Sequence, residues 1–200
     1  MPQLKHSEKI TLSLEDLERG LQFAKNTLRL AGKEILPLFR SNLDSENKIS
    51  EGYDPVTLAD KKSEALIREE IGKHYPQHGV FGEEEGYTEG NGLTWVIDPI
   101  DGTRGFMAGM LHWGMLLALF DGETPVLGVA YQPYSEELFY GFSNSSWLQR
   151  ADEKEVLLRT SSCVDLELAF LGSTDESLFD GALKEKFNKL RNTVRVCRLG

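Results

Sequence analysis

The sequence predicts an α+β fold in which two helices cover an antiparallel sheet, followed by the beginning of an α/β unit. Two stretches with the apolar periodicity of helices come first. Short strands separated by turn residues fill residues 80–150, and a strand–helix–strand pattern occupies residues 168–199. We therefore expect an N-terminal α+β domain over residues 1–150 and the start of a C-terminal α/β domain over residues 151–200. Because the chain ends directly after a strand, we expect this second domain to be incomplete.

The charge and composition exclude several classes of function. The chain has 200 residues, with 32 acidic against 22 basic side chains and a net charge of −10. An acidic surface argues against nucleic-acid partners and against an anionic membrane, and any phosphate site on it needs bound cations. The cysteines Cys163 and Cys197 form no metal-type pair and indicate a reducing compartment. With no signal peptide and no long apolar run, we expect a cytoplasmic protein.

A long amphipathic helix is predicted near the N-terminus. Ser13 and Asp16 have the spacing of a capping box, and Pro37 is expected to end or kink the helix. One apolar face is formed by Leu14, Leu17, Leu21, Ala24, Leu28, Ala31, Ile35 and Leu38. This pattern favours a helix packed on a sheet over a dimerising coiled coil.

A second helix follows a polar, turn-rich segment at residues 41–56 that resembles a mobile loop. Thr57 and Asp60 can cap this helix, which Pro76 should end. The inward-facing residues are Ala59, Ser63, Leu66, Ile67 and Ile71. Asp60 and Glu64 lie on one face of the helix, and two interpretations stay open: a cap plus a solvated acid, or residues near a metal.

The strand pattern after Gly79 predicts an antiparallel meander. The predicted strands are Val80–Phe81, 93–97, 113–120, 125–131, 137–142 and 146–150, with 168–171 and 194–199 flanking a helix over 176–190. Asp121-Gly122 is a strong hairpin signal between the third and fourth of these strands.

The stretch from Trp95 to Arg104 carries the chemistry. An apolar strand is expected to stop at Asp98, where Pro99 blocks further pairing, and a second carboxylate follows at Asp101. Two acids at the end of a buried strand are costly without cationic partners, and a hard divalent metal is one physical solution. A glycine and a hydroxyl residue then open a predicted helix, and the free amides there can hold a phosphate. The combination predicts metal-assisted phosphoryl chemistry.

A plausible Mg²⁺ site can be assembled from these residues. Asp98 and Asp101 can point into one pocket, with the Ile100 carbonyl as a further ligand. Glu83 can join them if its strand lies beside the strand ending at Asp98, and two metals would then lie roughly 3.5–4 Å apart. Thr103 could orient the attacking water while Glu83 accepts its proton. A lone Asp-x-x-Asp is a weak signal, and Glu84 and Glu85 are more simply explained as solvated acids.

Three motifs resemble the inositol monophosphatase family. They are Gly82-Glu83-Glu84, Trp95-Val96-Ile97-Asp98-Pro99-Ile100-Asp101-Gly102-Thr103 and Thr57-Leu58-Ala59-Asp60, and their order and spacing match from about residue 20 to residue 142. The resemblance implies a layered α-β-α-β-α sugar-phosphatase-like fold. It also implies a phosphomonoesterase, commonly inhibited by lithium, that uses two or three Mg²⁺ ions.

The resemblance assigns roles to individual residues. The metal ligands would be Glu83, Asp98, the Ile100 carbonyl and Asp101; the catalytic residues Glu83, Thr103 and Asp98; and the substrate-binding residues Asp101, Gly102, Thr103 and Ser173. Asp60 would lie just outside the metal ligands or near an additional metal. Lys48 falls close to a basic loop residue of the family. A late Trp-Asp motif, which supplies a further metal-binding aspartate in the family, is not within these 200 residues.

The downstream blocks are more similar to histidinol-phosphate phosphatases. They are Arg104 to Gly109, His112-Trp113-Gly114 and Pro125 to Pro133. They imply a Mg²⁺-dependent hydrolase of histidinol phosphate, in histidine biosynthesis. The alternatives are an inositol-1-phosphate phosphatase, a broad-range sugar or polyol phosphatase, and, from another class, a non-catalytic metal- or phosphate-binding module. The expected partner is a small-molecule phosphate ester, and a homodimer is left open.

Overall fold

The computed structural model describes residues 10–41, 45–47, 55–151 and 153–200, which divide into two compact units, Met1–Leu158 and Arg159–Gly200. The α-helices are α1 (Leu14–Ile35), α2 (Leu58–His74), α3 (Thr103–Met107) and α4 (Gly181–Thr193). Single turns of 3₁₀-helix lie at Leu36–Leu38, Leu166–Leu168 and Glu176–Leu178. Across the described ranges, no helix is long and apolar enough to cross a membrane.

A mixed eight-stranded sheet forms the centre of the first unit. In chain order the strands of the protein are β1 (Ser45–Asn47), β2 (Pro55–Thr57), β3 (Gly79–Gly82), β4 (Gly86–Thr88), β5 (Thr94–Asp101), β6 (Gly114–Phe120), β7 (Pro125–Gln132), β8 (Glu137–Phe142), β9 (Ser145–Arg150), β10 (Val156–Leu157), β11 (Phe170–Ser173) and β12 (Val196–Leu199). The sheet order is β10-β9-β8-β7-β6-β5-β3-β4. Neighbours are antiparallel except β3 and β5, which run parallel, so the prediction of a purely antiparallel sheet is wrong at this one pair.

The predicted first helix is confirmed as α1. Ser13 and Asp16 form the capping box, and Pro37 lies in the 3₁₀ turn that follows the helix. Leu21, Ala24, Leu28, Ala31 and Ile35 are buried against the sheet. Leu14 departs from the predicted apolar face, because it is 57% exposed in the first turn of α1.

The second predicted helix is confirmed as α2, capped by Thr57 and Asp60. The segment before it is more ordered than predicted. Within residues 41–56, β1 pairs antiparallel with β2, so the prediction of a loop throughout is wrong there. Lys48 lies outside the described residues.

The strand carrying Asp98 continues past the point at which the sequence predicts its end. In β5, Asp98 still pairs with Leu116 of β6, and Asp101 pairs with Gly114. The register shifts between these two pairs, so Pro99 occupies an irregularity where no ladder hydrogen bond from its nitrogen is needed. Pairing is therefore interrupted rather than ended by the proline.

The core lies between the helices and one face of the sheet. Alternate residues of the central strands point toward α1 and α2, which gives β6 its strict alternation of buried and half-buried positions. Buried sheet residues on this face are Trp95, Ile97, Met115, Leu117, Leu119, Leu127, Val129 and Tyr131. The two predicted hairpins, β6–β7 and β8–β9, are confirmed.

The second unit contains the predicted β-α-β arrangement. β11 and β12 pair in parallel, with α4 between them in sequence. The predicted helix starts later than expected, at Gly181, because residues 176–178 form a separate 3₁₀ turn. Residues just after 150 stay with the first unit, where β10 pairs with β9 and Lys25 forms a 2.9 Å ion pair with Glu155.

Core burial along α1 predicts a clear contrast between two leucines. Leu28 is 0% exposed, whereas Leu30 is 43% exposed on the same helix. Leu28→Ala should lower the free energy of unfolding by about 2–5 kcal/mol, because it removes apolar contacts and leaves a cavity. Leu30→Ala should change it by less than about 1 kcal/mol. Urea titrations followed by circular dichroism measure both, and equal losses would contradict this placement of the helix.

Candidate active site

The parallel pair of strands brings two separate acidic motifs together. Gly82 at the end of β3 pairs with Ile97 of β5, so the next residue of each chain segment, Glu83 and Asp98, are neighbours. The condition under which the sequence placed Glu83 beside Asp98 is therefore met. The two side chains form a hydrogen bond. Two carboxyl groups can share such a bond only when one of them carries a proton.

The surroundings of Asp98 disfavour its ionised form. Burial, followed by the charges of Glu83 and Asp101, raises the pKa of Asp98 from 3.8 to about 7. Asp60 adds a smaller repulsion to the same carboxyl group. Its Oδ1 atom is buried and receives no hydrogen bond from any residue that the structure describes. Asp98 is thus a half-buried acid with one buried, unbonded oxygen, and its ionised form needs a cation.

The irregular end of β5 orients the remaining groups of the motif. Asp101 is exposed, whereas the Ile100 side chain is only 1% exposed and anchors the segment in the core. The Ile100 carbonyl accepts a hydrogen bond of 3.1 Å from the Thr103 hydroxyl. The predicted ligand carbonyl therefore lies beside the residue predicted to orient water.

Asp60 connects helix α2 to the start of α3. Its Oδ2 atom accepts hydrogen bonds from the Thr57 amide at 2.8 Å and the Thr57 hydroxyl at 2.6 Å. Its Oδ1 atom accepts from the Thr103 hydroxyl at 3.3 Å. The predicted cap at Asp60 is confirmed, and this residue, 1% exposed, also contacts the candidate site. The accompanying interpretation of Glu64 as a solvated acid is wrong, because Glu64 is 0% exposed.

A left-handed residue opens α3. Gly102 has φ of 85°, and a Cβ there would lie 2.4 Å from the His112 carbonyl oxygen. Only glycine meets both requirements without strain. Thr103 follows as the first residue of α3, so the turn presents a small, accessible backbone surface next to Asp101.

Glu64 is the residue whose role the sequence left open. It is 0% exposed, and its carboxylate accepts from the amides of Glu84 and Glu85 at 2.7 and 3.0 Å. Arg68 donates to the same carboxylate at 2.8 Å. The spacing of Glu64 and Arg68 on the inward side of a helix was the available signal, since a buried acid requires such a partner.

One predicted site residue belongs to the second unit. Ser173 lies at the end of β11 in the second unit, and its role stays a prediction. Within the described part of the chain, no group of three or more His, Cys, Asp or Glu side chains is close enough to hold a metal as it stands. Glu83 and Asp98 form a hydrogen bond, and Asp101 and Asp60 act electrostatically on Asp98.

The oxygen atoms of the predicted ligands nevertheless fit a hard divalent cation. All of the side-chain donors are carboxylates, and a carbonyl oxygen lies in the same strand end, which is the oxygen set that Mg²⁺ prefers. The orphaned Oδ1 atom of Asp98 is the observation that a cation would explain best. A cation would also remove the need for a shared proton between Asp98 and Glu83.

A mixed sheet under two helices, with acids gathered at adjacent strand ends, defines the layered sugar-phosphatase-like fold class. An inositol monophosphatase structure from Zymomonas mobilis matches with a TM-score of 0.76 and 32% identity, covering 94% of this chain and 70% of that one. The sequence model of the inositol monophosphatase family matches residues 16–200. The chain belongs to the inositol monophosphatase family.

Two curated phosphatases are similar to this chain in sequence. The chloroplastic bifunctional phosphatase IMPL2 of Arabidopsis thaliana is 29% identical over 198 residues, which are 98% of this chain and 56% of that protein. The histidinol-phosphatase of Chlorobaculum parvum is 39% identical over 129 residues, which are 62% of this chain and 46% of that protein. The chain thus spans about half the length of the curated relatives it matches.

The electrostatics of Asp98 predict a pH-dependent gain in stability when its charge is removed. With its pKa raised from 3.8 to about 7, ionised Asp98 destabilises the folded state most above pH 7. Asp98→Asn should therefore raise the free energy of unfolding at pH 8, without divalent cations, by about 1–2 kcal/mol; partial solvent exposure reduces the full effect. The gain should shrink at pH 5.5, where the folded wild type binds a proton.

Urea titrations of both proteins at the two pH values test this expectation. Glu89→Gln, which neutralises an exposed acid just after β4, is the control and should leave stability unchanged at both pH values. An Asp98→Asn protein less stable than wild type at pH 8 would contradict the assignment of Asp98 as an unsatisfied acid.

Proposed function

We propose that the protein is a Mg²⁺-dependent phosphomonoesterase that hydrolyses a small alcohol phosphate by metal-activated water, with histidinol phosphate as the leading substrate. The observation that carries the proposal is the Glu83–Asp98 pair with its orphaned oxygen. A half-buried acid of raised pKa beside further acids is typical of a functional site rather than of a stabilising ion pair. Family membership supports the same reaction class.

The metal would be held by oxygens from two strand ends. Glu83, Asp98, the Ile100 carbonyl and Asp101 are the proposed ligands, and we propose two or three Mg²⁺ ions in total. When bound, Mg²⁺ supplies positive charge for the phosphoryl oxygens and lowers the pKa of a bound water. Asp60 lies within reach of Thr103 and acts electrostatically on Asp98, which suits a position just outside these ligands.

The proton transfers can be assigned to neighbouring residues. A threonine hydroxyl has one proton to donate, and Thr103 has Asp60 and the Ile100 carbonyl as acceptors. Donation to the Asp60 carboxylate leaves the Thr103 lone pairs to accept a hydrogen bond from water and so to orient it. Glu83 is proposed to receive the water proton, and its position beside Asp98, a proposed metal ligand, supports this role.

The phosphate would lie on the turn that follows the acids. Gly102 and Thr103 offer backbone amides there, and the positive φ of Gly102 turns the chain immediately after Asp101. Asp101 would contact both metal and substrate. Ser173 is proposed to contact the alcohol part of the substrate.

Histidinol phosphate is favoured by the blocks around Arg104, His112 and Pro125 and by similarity to a histidinol-phosphatase. That substrate would place the protein in histidine biosynthesis, in the cytoplasm, with lithium as an expected inhibitor. Inositol 1-phosphate is the second candidate, because the family model and a solved inositol monophosphatase also match.

Phosphate release from histidinol phosphate, inositol 1-phosphate and glycerol 2-phosphate, with and without Mg²⁺, tests the function. We expect turnover that requires Mg²⁺ and is fastest with histidinol phosphate. Asp98→Asn should lower kcat by more than about 100-fold, because it removes a direct ligand rather than a supporting contact. The near-UV circular dichroism spectrum should be unchanged, since the side chains have the same shape.

Glu89→Gln again provides the matched control, an acid-to-amide change at an exposed position that should keep kcat within about 2-fold. Absence of turnover with all three esters would reject the enzyme. Binding of Mg²⁺ and inorganic phosphate without turnover would instead favour the non-catalytic module. Full activity of Asp98→Asn would remove Asp98 from the site.

A further inference from the structure

We propose that Glu64 is a positioning residue, which holds the turn bearing Glu83 so that the Glu83 carboxylate meets Asp98. The importance of this geometry for metal binding rests on the proposed function. Glu64 lies on α2 and acts through the backbone of the β3–β4 turn, without a hydrogen bond to Asp98. The interaction is therefore indirect, and it can be separated experimentally from catalysis itself.

Glu64 is built into the turn as an acceptor for consecutive amides. Its Oε2 atom accepts from the Glu84 amide at 2.7 Å, and its Oε1 atom accepts from the Glu85 amide at 3.0 Å. The Arg68 Nε atom donates to Oε1 at 2.8 Å. A carboxylate with 0% exposure must obtain all of its stabilisation from such partners, so these bonds fix where the turn can lie.

Gly82 permits this close approach. A Cβ on Gly82 would lie 2.0 Å from the Oε1 atom of Glu64 and 2.3 Å from its carboxyl carbon. The carboxylate therefore occupies the space that a side chain would need. Glycine is required here by the contact with Glu64, at the last residue of β3 and directly before Glu83.

Arg68 holds the far end of the same turn. Its Nη2 atom donates to the Gly86 carbonyl at 2.5 Å, and its Nη1 atom donates to the Thr88 hydroxyl at 3.4 Å. The side chain is only 13% exposed. Glu64 and Arg68, one helical turn apart, thus bind the turn at its middle and at its end.

The register of the sheet shows why this fixation concerns Glu83. Gly82 pairs with Ile97, so the turn leaves β3 level with Asp98 of β5. The sheet pairing of Gly82 fixes the chain before Glu83, and the bonds from the Glu84 and Glu85 amides to Glu64 fix the chain after it. Together they determine the position of Glu83 relative to Asp98. Glu64 itself adds little repulsion to the acidic pair, because Arg68 compensates its charge.

Glu64→Gln is the decisive substitution. Glutamine keeps the size of the side chain but offers one acceptor oxygen, and its NH₂ group faces an amide that also donates. We expect Mn²⁺, titrated calorimetrically into the full-length chain, to bind with a 10- to 100-fold higher Kd, the usual effect of removing a group that orients a ligand. The KM for histidinol phosphate should change less than kcat.

Glu69→Gln is the matched control, since Glu69 lies on the same helix and forms an i, i+4 pair with Lys73 in solvent. Its Mn²⁺ Kd should equal that of wild type. Arg68→Lys is a milder second variant, which keeps the positive charge but lacks the fixed fork of donors that bonds Glu64 and the Gly86 carbonyl. We expect an intermediate rise in Kd with the fold retained.

Stoichiometry separates positioning from stability. A purely structural role would reduce the number of Mn²⁺ sites per chain through partial unfolding and leave the Kd of the folded fraction unchanged. An unchanged Kd in both Glu64→Gln and Arg68→Lys would overturn the proposal. If wild type binds Mn²⁺ but hydrolyses no phosphate ester, the enzymatic function fails, and a raised Kd in the variants still supports positioning by Glu64.

Discussion

The buried polar side of α2 is the constraint on which the candidate site depends. Asp60, Ser63 and Glu64 are each no more than 1% exposed, and each contacts a different segment of the site. Asp60 accepts from Thr103, Ser63 donates to the Pro99 carbonyl at 3.4 Å, and Glu64 accepts from the turn after β3. Because buried polar groups are costly without partners, α2 can pack on the sheet only with these segments in place. The fold and the site are therefore coupled energetically.

Two kinds of carboxylate lie close together in this region, and they differ in what balances their charge. Glu64 has a guanidinium and two amides, so its burial is compatible with a stable fold. Asp98 instead forms a hydrogen bond with another acid, Glu83, and its buried Oδ1 atom has no hydrogen-bond partner among the described residues. An acid with a buried, unbonded oxygen is typical of a site that awaits a ligand. Glu64 therefore contributes to the stability of the fold, whereas Asp98 is the acid suited to binding a ligand.

The sequence predicts those features whose causes are local. Short stretches of sequence contain both the capping box at Ser13 and the apolar spacing of α1. The hairpin at Asp121-Gly122 is also determined by neighbouring residues. Features that depend on distant partners were missed or left open. The parallel pairing of β3 with β5, the continuation of β5 beyond Asp98 and the burial of Glu64 each require a segment about 15–20 residues away. The acids of the site could be identified from sequence, because two carboxylates directly after an apolar strand are costly without a cation, whatever the rest of the fold.

The run Gly82-Glu83-Glu84-Glu85-Gly86 shows how geometry selects among equivalent residues. Composition alone cannot distinguish three consecutive glutamates. In the structure Glu83 hydrogen bonds with Asp98, whereas the Glu85 side chain is 56% exposed and lies 3.7 Å from Arg68. A slip of one residue in the turn would bring a different glutamate toward Asp98 and would also require a Cβ where the Glu64 carboxylate lies. The close contact between Glu64 and Gly82 therefore excludes the neighbouring registers, and one buried carboxylate decides which surface acid faces Asp98.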